Sequence, residues 1–190
     1  MAAEKQKKET VKKEATPFLQ EQKSPGKKEA NKQKEASGQL LAGIRIRGNS
    51  GLSPDVKKTL QLLSLHKVNH LVLVDTAQKG MLQKVSQFIA FGEVDEKTLA
   101  LLLQRRGRLQ GDKRLDQKFL QEKKIEGFTA LAAAVTEKKE KLRELGIKHV
   151  FRLHPPSKGF ERKGIKKDYN IGGALGYRGA DINKLILRMI

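Results

Sequence analysis

Between Pro155 and Arg178 the chain reads PPSKGFERKGIKKDYNIGGALGYR, and no helical or strand periodicity of apolar residues runs through it. Glycines stand at 159, 164, 172, 173 and 176, with another at 179. Lys158, Arg162, Lys163, Lys166, Lys167 and Arg178 face only Glu161 and Asp168 in opposite charge. A stretch of this kind lacks the apolar area to offset its own ordering entropy. The core must therefore be built elsewhere, and the segment is expected to lie flat against a polyanion. Glycine lets backbone approach phosphates closely, and the cations neutralise them. A flexible solvated loop is the plainer alternative, and low amide protection is expected over about residues 157 to 179 in free protein.

The charge excess is +19 over 190 residues, and the tail does not account for it. Residues 1 to 38 hold ten Lys and six Glu, a net +4, so the rest carries +15. Every arginine lies at Arg45 or later. Arginine suits planar, bidentate phosphate contacts, whereas the tail uses lysine alone. The tail is low in complexity, broken by Pro17, Pro25 and Gly26, and reads as disordered in isolation. A hydrophobic content of 37% suffices for one modest core. The chain has no Cys, which excludes a disulfide scaffold, thiolate metal sites and a thiol nucleophile. No signal-peptide pattern and no apolar run of membrane-spanning length (about 20 residues) is present. A soluble polyanion binder follows, with nucleic acid first and an anionic membrane surface second.

A compact α+β pattern starts at Leu40. Ile44 and Ile46 alternate with Arg45 and Arg47, as in a half-buried strand. Ser53-Pro54-Asp55 opens a helix with a capping serine and proline at the first helical position, followed by the stripe Val56, Leu60, Leu63. Val68 to Val74 reads as a strand buried on both faces. A second helix is expected from Lys79 to Ala90 with Leu82, Val85, Phe88 and Ile89 inward, and Gly92 to Val94 as a short third strand. Asp95 is a candidate N-cap for a helix burying Leu99, Leu102 and Leu103. Leu115 to Lys124 suggests a short helix, Phe128 to Gly146 an Ala-rich helix with Gly146 just past its end, and Ile147 to Leu153 a strand. The chain finishes in an amphipathic helix using Ile182, Leu185, Ile186 and Met189. The expected division is a tail at 1–38, a β-α-β-α-β core with a three-stranded sheet at 39–95, and at 96–190 a helical insertion, basic Gly-rich loop and terminal helix packed on that core.

Catalytic and metal signatures are missing. His66 and His70 are spaced like ligands on one helical face, but Val68-Asn69-His70 reads as strand entry and no HExxH context exists. GNSG (48–51) lacks the P-loop ending and the dinucleotide spacing, and a tight strand-to-helix connection fits it better, with helix-start amides still open to a phosphate. No carboxylate pair or Ser/His/Asp arrangement stands out. No catalysis, metal or cofactor is called for.

LQLLSLHKVNHLVLV followed by KGMLQKVSQFI resembles the signature region of the large-subunit ribosomal protein L-thirty family, known as L-seven in eukaryotes. The ending GGALGYRGADINKLILRMI is similar to the long archaeal and eukaryotic branch, and FRLHPPSKGFERKGIKKDYNIGGALGYRG looks archaeal. The resemblance covers about Leu40 to Ile190. It implies a structural, non-enzymatic protein of cytoplasmic ribosomes that binds large-subunit rRNA beside neighbouring ribosomal proteins, with no membrane and no small-molecule substrate. The rival class is an RNA-processing enzyme or a free RNA-binding regulator on a similar core. The resemblance directs attention to Lys67, Asn69 and His70, and to Lys79 and Lys84 around a helix start. Charge and position add Arg45, Arg47 and Asn49, then Arg105, Arg106, Arg108 and Arg114, and the loop residues Lys158, Arg162, Lys163, Lys166, Lys167, Tyr177 and Arg178. Asn69 reads equally as a contact or a turn residue. Tyr177 reads equally as a stacking platform or a loop anchor.

Overall fold

The computed structural model of the chain describes residues 40–123, 125–137 and 142–190. The tail expected at 1–38 lies outside the described residues. In chain order the elements are β1 (Leu40–Arg45), α1 (Pro54–Leu62), β2 (His70–Asp75), α2 (Lys79–Lys84), β3 (Ile89–Glu93), α3 (Glu96–Arg106), α4 (Gln117–Glu122), α5 (Phe128–Thr136), β4 (Val150–Arg152), β5 (Gly176–Tyr177) and α6 (Ile182–Met189).

The α+β class holds, but the sheet has five strands in the order β4-β2-β1-β3-β5. The β-α-β-α-β portion supplies the three central strands. The C-terminal region adds β4 antiparallel to β2 at one edge and β5 parallel to β3 at the other. The strand expected at Ile147 to Leu153 is present as the shorter β4, though its place in the sheet was not expected, and β5 was missed because a strand of two residues carries too little period-2 signal to stand out from loop.

Each face of the sheet carries its own core. Leu40, Ala42 and Ile44 of β1 and Leu71 and Leu73 of β2 pack toward α3, α4, α5 and α6, whose Leu99, Leu103, Leu120, Leu131, Ile182 and Ile186 are buried there. Leu41, Val72 and Val74 point the other way, onto Leu60 and Leu63 around the end of α1 and Leu82 of α2. The alternation within β1 thus separates two cores, not core from water, and all six of its residues are buried. This corrects the half-buried reading of β1. At Gly92 the carbonyl of Gly179 comes so near that a Cβ would lie 2.2 Å from it, so only glycine lets the 179 turn close on β3.

Helix starts were legible and helix ends less so. Ser53 caps α1 by accepting the Val56 N–H at 3.5 Å, with Pro54 in the first turn. The second helix ends at Lys84, well short of Ala90. Leu82, Val85, Phe88 and Ile89 are all buried as expected, but the last two belong to a turn and to β3. Their spacing imitates a helical stripe, while pairing with β1 along Ile89 to Glu93 satisfies the backbone. Likewise α5 stops at Thr136, and Gly146 serves a separate turn at φ +75°.

Candidate nucleic-acid interface

The strand ends meet along one rim of the sheet. Arg45 at the end of β1 stands opposite Ile89 at the start of β3, and His70 at the start of β2 stands opposite Arg152 at the end of β4. Backbone bonds continue the rim past the strands. Asn69 N–H donates to the Arg45 carbonyl at 2.8 Å, Leu153 N–H to the Asn69 carbonyl at 3.0 Å, and the Ile46 and Arg47 N–H groups to the Phe88 carbonyl at 3.0 and 3.1 Å. Asn69 adopts φ +63°, a left-handed position that Asn tolerates, so it is a turn residue that admits the chain into β2.

Arg45 organises this rim from inside. It is 3% exposed, and its guanidinium donates to the carbonyls of Leu65 (2.7 Å), His66 (3.0 Å), Arg47 (2.9 Å) and Gly48 (3.1 Å) and to Asn49 Oδ1 (2.5 Å). It ties the GNSG turn and the α1–β2 turn to the sheet and is withdrawn from the surface set. Asn49 remains exposed while its carbonyl oxygen steadies that guanidinium. Arg47 lies 4.8 Å over the Phe88 ring and donates to the Gln87 carbonyl at 3.2 Å, which fixes its plane at the surface.

The rim is electropositive, and His70 registers the field. Burial first, then Arg152, His66, Lys67 and Arg45, lower its imidazole pKa from the usual 6.5, so it is neutral at pH 7. Its Nδ1 is buried with no partner among the described residues. His66 lies in the turn after α1 and His70 in β2, so the two share no helical face. Lys67 is exposed beside them. Arg152, absent from the sequence-based candidates, extends the rim. Its place opposite His70 depends on a register that sequence alone does not reveal. Asp112 bridges it to the insertion, 3.5 Å from Arg152 and hydrogen-bonded to Lys148.

At the other end of the rim, Arg47, Gln87, Lys166, Lys167, Asp168, Ile171 and Leu175 enclose an open groove of about 380 Å³. The segment that supplies most of this groove is folded, contrary to the expectation of a flat, flexible loop. Arg178 is its hub. Its side chain is 2% exposed and pairs bidentately with Glu161, both contacts at 2.7 Å, while also donating to the Ala174 carbonyl at 2.7 Å. Its guanidinium also stacks 4.8 Å over Tyr169. Arg188 of α6 reaches Glu161 at 3.2 Å. Burial raises the Glu161 pKa, but the bonds and charges of Arg178 and Arg188 outweigh it and hold the carboxyl below its usual value. A Cβ at Gly173 would lie 2.1 Å from the Lys167 carbonyl, so glycine there permits the fold-back. Arg178 is therefore a structural cation withdrawn from the surface set, while Lys158, Arg162, Lys163, Lys166 and Lys167 stay exposed.

The remaining candidates lie apart from this groove. Tyr177 is an anchor: its hydroxyl hydrogen-bonds Glu93, its ring lies 5.6 Å from Phe91, and Lys79 Nζ sits 5.7 Å from its centroid. Lys84 is exposed at the end of α2, a helix of six residues too short to supply the helix-start phosphate site expected at Lys79. Arg106 donates to the Ile190 carbonyl at 2.5 Å, and Arg108 to the Asp112 carbonyl at 3.0 Å, while Arg105 and Arg114 are exposed. A second groove, about 320 Å³ beside β2, is walled by Leu62, Val72, Leu73 and Met81, with Arg143 among its described lining residues.

The ribosomal protein L30p/L7e family profile matches residues 44–89. The protein called large ribosomal subunit protein uL30 in Nanoarchaeum equitans is 50% identical over 153 residues, which cover 80% of this chain and 99% of that protein. Its namesake in Thermofilum pendens is 48% identical over 155 residues, covering 80% and 99%. In Methanococcus vannielii the figures are 44% over 151 residues, 78% and 98%. Both the central strands and the C-terminal extension lie within a match of that breadth, and the chain belongs to the ribosomal protein L30p/L7e family in its archaeal type.

Proposed function

We propose that this protein is a structural constituent of the large ribosomal subunit that holds ribosomal RNA along the basic rim of its sheet. The relatives are large-subunit proteins, which makes the chain a non-enzymatic ribosomal component of the cytoplasm with rRNA and neighbouring ribosomal proteins as its partners. No helix among the described residues is long and apolar enough to cross a membrane.

The observation that carries the RNA-binding reading is the alignment of Arg152, Lys67, His70, Arg47, Lys166 and Lys167 along one edge, on a scaffold whose buried Arg45 and Arg178 prevent the turns from collapsing. Fixed cations at fixed spacing recognise RNA by backbone shape more than by base identity. Arg162, Lys163 and Lys158 widen that surface. Arg108 and Arg114, paired across a β-bridge, give a second basic patch, joined to the rim through Asp112 and Arg152, and Arg105 is exposed at the end of α3. Phosphate approaching the rim would raise the His70 pKa toward or above its free value, so an imidazole titration followed with and without rRNA reports contact.

The test is retention. The protein should stay with purified large subunits at one copy per particle through salt washes that strip loosely bound factors. Release in those washes, or a substoichiometric amount, would favour a processing enzyme or free regulator.

A further inference from the structure

We propose that the groove between Arg47 and the 166–171 turn seats one unpaired RNA nucleotide and favours guanine. This rests on the RNA-binding reading above and adds base recognition to it. The groove, about 380 Å³, has room for a nucleotide, near the lower end of the usual range for ligand sites. Its composition is unlike the rest of the rim. Leu175, 2% exposed, forms an apolar wall, and Ile171, also lining the groove, is 58% exposed. Solvent exposure of that side chain is unfavourable, and the flat face of an extruded base would cover it. The Arg47 guanidinium, held against Phe88, offers a rigid plane for stacking. Lys166 and Lys167 have no carboxylate partner among the described residues and suit the phosphate of the same nucleotide.

Asp168 sets the choice of base. Asp168 is an exposed lining residue of the groove, and no side-chain hydrogen bond or ion pair reaches it among the described residues. A bare carboxylate weakens a phosphate-binding surface by repulsion unless the ligand brings donors to it. Guanine presents N1–H and an N2 amino hydrogen side by side, a match for two carboxylate oxygens. Adenine and cytosine offer one exocyclic amine beside an acceptor, and uracil one N–H between two acceptors. Gln87, across the groove, can serve the remaining acceptor edge.

The experiment measures anisotropy of two labelled hexanucleotides, UUGUUU and UUUUUU, against the full chain at low salt. The guanine-containing oligomer should bind about five- to tenfold tighter, the lower part of what a bidentate base contact gives. Asp168→Ala should abolish that difference and leave UUUUUU binding unchanged or stronger, since a repulsive charge is gone. Ile171→Ala should weaken UUGUUU several-fold with little effect on UUUUUU. Both positions are exposed, and an unchanged thermal melt verifies that each variant is folded. Equal, salt-sensitive binding of the two oligomers by the unmodified protein overturns the nucleotide pocket and leaves the basic rim standing. A guanine preference that survives Asp168→Ala also overturns it. Absence of binding to either oligomer overturns the RNA-binding reading and the pocket together.

Discussion

In β2, Leu71, Val72 and Val74 are 0 to 4% exposed, while in the segment from Pro155 to Arg178 the buried side chains are Pro156, Ala174, Leu175 and the charged Arg178. The strand is ordered by area removed from water on both faces. The segment is ordered by glycine turns, a guanidinium saturated with acceptors and backbone bonds such as Lys163 N–H to the Gly172 carbonyl at 3.2 Å and Tyr169 N–H to the Leu175 carbonyl at 2.8 Å. Apolar order leaves nothing for a ligand. Polar order turns one cation inward to hold the loop and leaves five outward. The contrast teaches that cation content alone does not identify an interface, because buried and exposed arginines look alike in sequence.

The largest effect should come from the apolar side of the comparison. Leu71→Ala should lower stability by about 2 to 5 kcal/mol in a denaturation curve, since its site is sealed between β1, β4 and the first core. RNA affinity of the folded fraction should not change. A loss of affinity larger than the unfolded fraction accounts for would mean that the two regions are not separable.

Arg178→Ala should cost less, about 2 to 3 kcal/mol. That is below the 3 to 5 usual for breaking a buried pair, because the Glu161 side chain stays 22% exposed and keeps Arg188. Unlike Leu71→Ala, it should also impair RNA binding, by letting the turn with Lys166 and Lys167 move. The same ion pair predicts an acid dependence confined to this region. The folded-state pKa of Glu161 lies below its ordinary 4.5, so its contribution is complete above about pH 4.5 and is lost as pH falls through the lower folded value. Amide exchange corrected for pH should therefore show residues 157–179 loosening before β1 and β2 on acidification. Simultaneous loosening would refute the local role given to Glu161.

The strands that build the core could be read from sequence because their signal is local: β-branched runs, a capping serine, a proline at a helix start. Leu60, Leu82 and Leu103 are buried where their spacing put them. Strand registers could not: a strand at Ile147 to Leu153 was expected, but its pairing opposite His70 depends on a partner about 80 residues away. At the site, the exposed cations Lys166 and Lys167 were legible from charge density, and Lys67 from the family resemblance. The inward turn of Arg45 and Arg178 was not, because it is decided by acceptors the fold brings together: carbonyls at 65 and 66 for one, Glu161 for the other. Arg152 and the exposed Ile171 went unnoticed for the same reason, neither residue type being unusual on its own.

The smallest stability effect belongs to the exposed half of the loop. Replacing Arg162, Lys163, Lys166 and Lys167 together by Ala should change stability by no more than about 1 kcal/mol, as solvated charges contribute little. If this variant unfolds, the division between inward and outward cations in the segment is wrong.

Salt-titrated binding of the free protein to large-subunit rRNA tests the central claim most directly, compared between the unmodified chain and that fourfold variant. If about six phosphates are neutralised, log affinity should fall with log salt at a slope of about −4 to −5, and the variant should flatten it by about 2 to 3. A slope near zero, or one the four substitutions leave unaltered, would contradict the assignment of the basic rim and its loop as the RNA-binding surface.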